Sequence, residues 1–203
     1  MDDANYFECE YNACGRDKGS VLVNYGNSKV LGVLNGPFEP AGPVVDPFRA
    51  TVRVQIYAGG EKKTSASLLS VYLERLLSAS LRMQEYPRCI IEVKLYLLSW
   101  SDNYYAALVN TASVLLLSSG LQMFGVPLGI FCSLEGGREC TVGVISKGGV
   151  LQEVFYLGTA EEPSKTWKEN VPDLLERIRY SLKTNYEAEM GVYANDMAYL
   201  KIK

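Results

Sequence analysis

The hydrophobic period of this chain switches repeatedly between two and about 3.6 residues, and the order of those switches excludes most folds. Residues 50–57 (ATVRVQIY) alternate apolar and polar, the pattern of a half-buried strand. Gly59-Gly60-Glu61-Lys62-Lys63 breaks the strand, and Thr64 or Ser65 caps a helix. There Leu69, Leu73, Leu76 and Met83 recur at helical spacing, with Ser80 on the same stripe, until Tyr86-Pro87 ends the helix. Ile91, Val93, Leu95 and Leu97 then share one face of a strand over residues 90–98. Residues 106–119 are an apolar helix closed by Gly120. Upstream, residues 20–25 and 29–34 are strands around the turn Gly26-Asn27-Ser28, followed by a Pro- and Gly-rich loop over residues 36–47. Downstream, strands at 126–134, 140–145 and 150–157 are separated by Gly136-Gly137 and Gly148-Gly149, and a last helix runs from Asn170 to about Met190. The order is β-rich, α, β, α, β-rich, α. This is an α+β chain in which helices pack on sheets.

Composition narrows the chemistry. With 203 residues, 48% of them hydrophobic and 21% charged, the chain has the makeup of a soluble globular protein. It is long enough to bury about 70% of its unfolded surface without a disulfide or metal staple. There is no histidine, which removes Ser-His-Asp, Cys-His and histidine-bound zinc chemistry. Cys9, Cys14, Cys89, Cys132 and Cys140 form no CxxC pair, so reduced thiols and no metal are expected, and no cofactor motif stands out. A net charge of −3 argues against a free-standing nucleic-acid binder, though not against a subunit lending a few cations to a shared channel. The apolar run at 106–117 contains Asn110, Thr111 and Ser113 and is too short to span a bilayer, so no membrane is expected as a partner.

Three stretches in order resemble the ribonuclease-PH family. GSVLVNYGNSKVLGVLNGPFEP (residues 19–40) is similar to the family's opening strands and turn. YPRCIIEVKLYLLSWSDNYYAALVNTASVLLLSSGLQM (residues 86–123) is similar to its YPR, strand, ADGG(T/S)R and following helix. TVGVISKGGVLQEV (residues 141–154) is similar to its late hairpin. Met123-Phe124 and the hairpin most resemble the eukaryotic exosome subunits related to the archaeal phosphorolytic subunit. The resemblance covers most of residues 6–190. It implies a ribonuclease-PH-like fold over a single domain, 1–203.

The same resemblance implies a degenerate site. Phosphorolysis needs cationic donors for phosphate and a carboxylate pair for acid or metal work. The arginine that active relatives carry in ADGG(T/S)R aligns with Tyr105, and two glycines that let backbone amides approach an anion align with Asp102 and Asn103. An arginine of the first helix aligns with Glu74, and the neighbouring Arg75 is turned about 100° away. The segment bearing the carboxylates is missing, because SLEGGREC (residues 133–140) joins the flanking strands directly. Glu135 and Glu139 are conceivable stand-ins or plain solvated loop charges.

Lys62 and Lys63 fall where the family has a basic loop facing a central pore, so they are RNA contacts or solvated loop lysines. Arg88 of YPR is a pore cation or the anchor of a helix-to-strand turn. Trp100, Tyr104 and Tyr105 stack on bases or pack as core and interface. The implied function is a non-catalytic ring subunit that guides single-stranded RNA during 3′–5′ processing and degradation. Its implied partners are other ribonuclease-PH-like subunits in a hetero-hexameric ring, cap subunits with RNA-binding domains and a separate nuclease, in the nucleus, nucleolus and cytoplasm. An active phosphate-dependent exoribonuclease and an interaction module outside any exosome are the alternatives.

Overall fold

The computed structural model describes residues 6–15, 19–43, 46–58, 65–99, 101–134, 138–148, 150–158 and 167–200. Its elements are strands β1 (Phe7–Tyr11), β2 (Ser20–Tyr25), β3 (Ser28–Phe38) and β4 (Thr51–Ala58), helix α1 (Ser65–Ser80), strand β5 (Ile90–Ser99), helix α2 (Tyr104–Ser119), strands β6 (Val126–Leu134), β7 (Arg138–Lys147) and β8 (Val150–Gly158), and helix α3 (Trp167–Leu200). One sheet has the order β1-β2-β3-β5-β4 and the other β6-β7-β8. Every pairing is antiparallel except β4 with β5, which α1 joins as a βαβ crossover.

Helix α2 is why the sequence shows a run that is apolar all round. It packs on β2, β3 and β5 of one sheet and on β6 and β7 of the other. Every residue from Ala106 to Leu116 is buried, as a helix enclosed by two layers requires. Each sheet offers it a glycine. A Cβ on Gly32 would lie 2.7 Å from Thr111 Cγ2, and one on Gly129 would lie 2.9 Å from Ala106 Cα. These two positions let the helix approach both sheets closely. Each fully buried leucine on it, such as Leu108 or Leu115, contributes about 1.5–3 kcal/mol. Gly120 ends α2 in the left-handed conformation, as expected for its C′ position.

The order of elements agrees with the α+β expectation, with four differences in detail. Strand β1 is an addition. Its alternating FECEY buries Phe7 while Glu8 and Glu10 stay exposed. The expected loop at 36–47 begins late, because pairing of Phe38 with Ile90 draws β3 on to residue 38. Helix α1 stops at Ser80, short of Tyr86, and a 3₁₀ turn takes Met83–Glu85. The backbone there pairs with residues after α2: Leu81 bridges Met123, Arg82 N donates to Gln122 O, and Phe124 N donates to Ser80 O. That tertiary pairing outweighs helical propensity. Helix α3 starts three residues earlier than expected and runs on to Leu200. Its Trp167, Val171, Leu174 and Ile178 form the buried stripe. Among the described residues, no helix is long and apolar enough to cross a membrane.

Candidate functional site

The segment aligned with ADGG(T/S)R lies where β5 hands over to α2, beside the start of β3. Ser28 Oγ donates to Asn103 Oδ1 at 2.7 Å, and Ser101 Oγ donates to the same oxygen at 2.6 Å. Ser101 N donates to Ser28 Oγ at 3.0 Å. Asn103 and Ser28 are buried, while Asp102 is exposed beside them. A glycine at 103 would leave backbone open to a ligand. The asparagine instead fills that space with a side chain bound to two hydroxyls, and its own carbonyl already accepts the first helical bond from Ala107 N.

Tyr104 and Tyr105 follow. Their rings lie 3.9 Å apart between centroids, tilted by 33°, and both are half-buried against the core. Burial, and then the Tyr105 hydroxyl, push the Tyr104 phenol well above its ordinary range, so it stays neutral. Neither tyrosine side chain carries the positive charge that a guanidinium offers to phosphate.

Glu74 has other work. Its Oε1 accepts from Val54 N at 2.9 Å, so the carboxylate covers a backbone amide of β4. Strand β4 is an edge strand, and an uncovered edge amide is a liability in packing and in aggregation. Glu74→Ala is therefore expected to cost about 1 kcal/mol in urea unfolding, whereas Glu74→Gln, which keeps an acceptor, costs little. Glu74→Arg loses the bond as the alanine does.

Arg88 sits at positive φ (62°) in the turn before β5. Its Nη2 and Nε each lie 2.9 Å from Glu39 Oε1, which ties that turn to the end of β3. The pair is exposed on both sides and contributes no more than about 1 kcal/mol. Cys132 and Cys140 stand opposite each other on β6 and β7, both buried. Burial first, and then Cys140, push the Cys132 thiol up to about 12, so it is not a nucleophile at neutral pH. Strands β6 and β7 pair as far as Leu134 with Arg138, so three residues connect them. Lys62, Lys63, Trp100 and Glu135, and the side chain of Glu139, lie outside the described residues. Among the described residues, no three Cys, Asp or Glu side chains converge as metal ligands would.

What sequence reasoning missed is a cluster at the opposite end of α2. Arg82 and Lys147 both approach the ring of Phe124, at 5.2 and 5.0 Å from its centroid. A Met-Phe dipeptide carries no hint of this, because the two cations come from different parts of the chain.

The family model for the 3′ exoribonuclease family, domain 1 (RNase PH), matches residues 5–122. The exosome complex component RRP41 of Homo sapiens is 30% identical over 117 residues, 52% of this chain and 48% of that protein. The chain thus spans about half the length of that relative. The crystal structure of rice (Oryza sativa) Rrp46 superposes with a TM-score of 0.74 at 16% identity, over 92% of this chain and 96% of that one. The Archaeoglobus fulgidus exosome with RNA bound to the active site gives 0.57 at 15% identity, over 92% and 89%.

Proposed function

This chain belongs to the RNase PH family of 3′ exoribonucleases, and from that premise we propose that it is a non-catalytic ring subunit of an RNA exosome. The observation that carries the reading is Asn103, whose side chain is buried between Ser28 and Ser101 where the family's glycine leaves the backbone open. Tyr105 in place of arginine and Glu74 bound to the β4 edge support it. So does the three-residue β6–β7 connection, which is too short for the separate acidic segment that the resemblance implies in active relatives. The whole chain, 1–203, acts as one domain around α2. Its neighbours are other RNase PH-type subunits in a hetero-hexameric ring, cap subunits and a separate nuclease, in the nucleus, nucleolus and cytoplasm. Lys62 and Lys63 contact the phosphates of single-stranded RNA. Arg88, already paired with Glu39, is a minor contributor.

The test is incubation of the purified chain, alone and with its ring partner, with short single-stranded RNA, inorganic phosphate and magnesium. No nucleoside diphosphate is expected above a blank. Tyr105→Arg restores nothing, because the carboxylates are still missing and Asn103 still fills the cradle. Phosphate-dependent shortening that disappears in Glu139→Gln would show an active exoribonuclease and overturn the proposal.

A further inference from the structure

The cluster around Phe124 lies away from the degenerate site, and its construction is unusual for bare surface. Phe124 is 42% exposed, yet its backbone is pinned by the bond from its amide to Ser80 O at 2.7 Å. Gly125 lets it press against the end of β7, since a Cβ there would lie 2.7 Å from Ile145 Cγ2 and 2.8 Å from Ser146 O. A concavity of about 590 Å³ opens beside the ring, lined by Ala79, Phe124, Ile145, Lys147, Val150 and Gln152. Val150 on its rim is 69% exposed. The lining includes one cation and no carboxylate. Arg82 adds a second cation at the ring. Among the described residues, no carboxylate lies within ion-pair distance of Arg82 or Lys147.

Held apolar groups beside unpaired cations are the makings of an interface anchor. An exposed aromatic fixed by backbone bonds loses little freedom on binding, and such residues carry much of an interface's energy. Like charges gathered at one spot repel until an opposite charge arrives, and complementary charge selects the partner. With cations already drawn to it from two residues, the Phe124 ring is a poor platform for a stacked base. Val150 and Ala79 offer aliphatic contact, which a nucleotide uses badly and a protein side chain uses well.

We propose that this face seats a neighbouring protein subunit that presents an aliphatic side chain to the concavity and carboxylates to Arg82 and Lys147. The inference rests on the ring-subunit reading and adds to it the chemistry of one contact.

The experiment is affinity purification of the tagged full-length chain with its assembly, followed by carbodiimide treatment, which joins an amine to a carboxylate only where the two touch. Wild type is expected to give a Lys147 link to an Asp or Glu of a neighbouring exosome subunit. The fully folded Lys147→Arg variant keeps that neighbour but loses the link. Arg82→Glu with Lys147→Glu, both on exposed side chains, recovers that same neighbour about fivefold less well while keeping the others. If the double variant retains every subunit and Lys147 of the wild type links to none, this face is not an interface and the inference fails alone. If the double variant loses ultraviolet crosslinking to a bound oligouridylate and keeps all subunits, the occupant is RNA and the inference is again overturned. If wild type recovers no exosome subunit, the ring-subunit reading itself falls, and this inference with it.

Discussion

Asn110→Ala is expected to lower stability by about 3 kcal/mol, enough to reduce the melting temperature by roughly 6–12 °C in a chain of this size. Asn110 is fully buried on α2 and spans the gap to β6. Its Nδ2 donates to Gly129 O at 2.9 Å, and its Oδ1 accepts from Gly129 N at 2.9 Å. Gly129 is the residue at which α2 approaches too closely for any side chain. Removing the amide strands both backbone groups of Gly129 in a place water cannot reach, and each stranded group costs about 1–3 kcal/mol. Asn110→Leu of similar size fills the volume and still strands them, so it does not rescue the loss. Asn110→Asp separates the two bonds by pH. The ionised carboxyl accepts from Gly129 N but faces Gly129 O, and burial together with that carbonyl raises its pKa in the folded state. The folded state then binds a proton that the unfolded chain does not, so this variant gains stability as pH falls through the raised pKa, down to about 4, the unfolded aspartate value. Denaturant unfolding of the three variants at two pH values decides it. An Asn110→Ala loss under about 1 kcal/mol would mean that the helix and sheet part and let water in.

What is legible in the sequence depends on whether its cause is local. Strand β6 is readable to its last residue because Gly125 and Gly136-Gly137 bracket a continuous apolar run. The end of α2 is readable because Gly120 is the residue a left-handed C′ position calls for. The end of α1 is not, because the backbone that takes over from the helix at Leu81 belongs to Gln122 and Met123, on the far side of β5 and α2. Strand β1 escapes notice because five residues with two exposed glutamates carry little pattern of their own. The site shows the same division. The resemblance implies a glycine position at Asn103, but that its side chain turns inward to Ser28 depends on a contact 75 residues away. Glu74 is the sharper case: the resemblance implies a lost arginine there, while its bond to the β4 edge goes to a backbone amide, which leaves no trace in residue type.

The Lys62→Ala, Lys63→Ala double variant is expected to weaken RNA binding by the assembled ring and to flatten its salt dependence. The two lysines fall in sequence between the end of β4 at Ala58 and the start of α1 at Ser65. A rigid βαβ unit brackets them, and such strand-to-helix connections are where a scaffold carries functional side chains. Each lysine that neutralises a phosphate of a single strand releases counterions and contributes about −0.7 to the log–log salt slope. Two contacts make the slope shallower by about 1.4 when they are removed. Between about 50 and 200 mM salt, wild-type affinity should therefore fall about sevenfold more than that of the double variant. The loss is the same for different RNA sequences, because phosphate contacts carry no base information. Stability stays within about 0.5 kcal/mol, as for other surface substitutions. Titrations of fluorescent oligoribonucleotides at several salt concentrations measure both terms at once. An unchanged slope in a normally assembled ring would make Lys62 and Lys63 ordinary solvated loop charges and leave this subunit a purely architectural part.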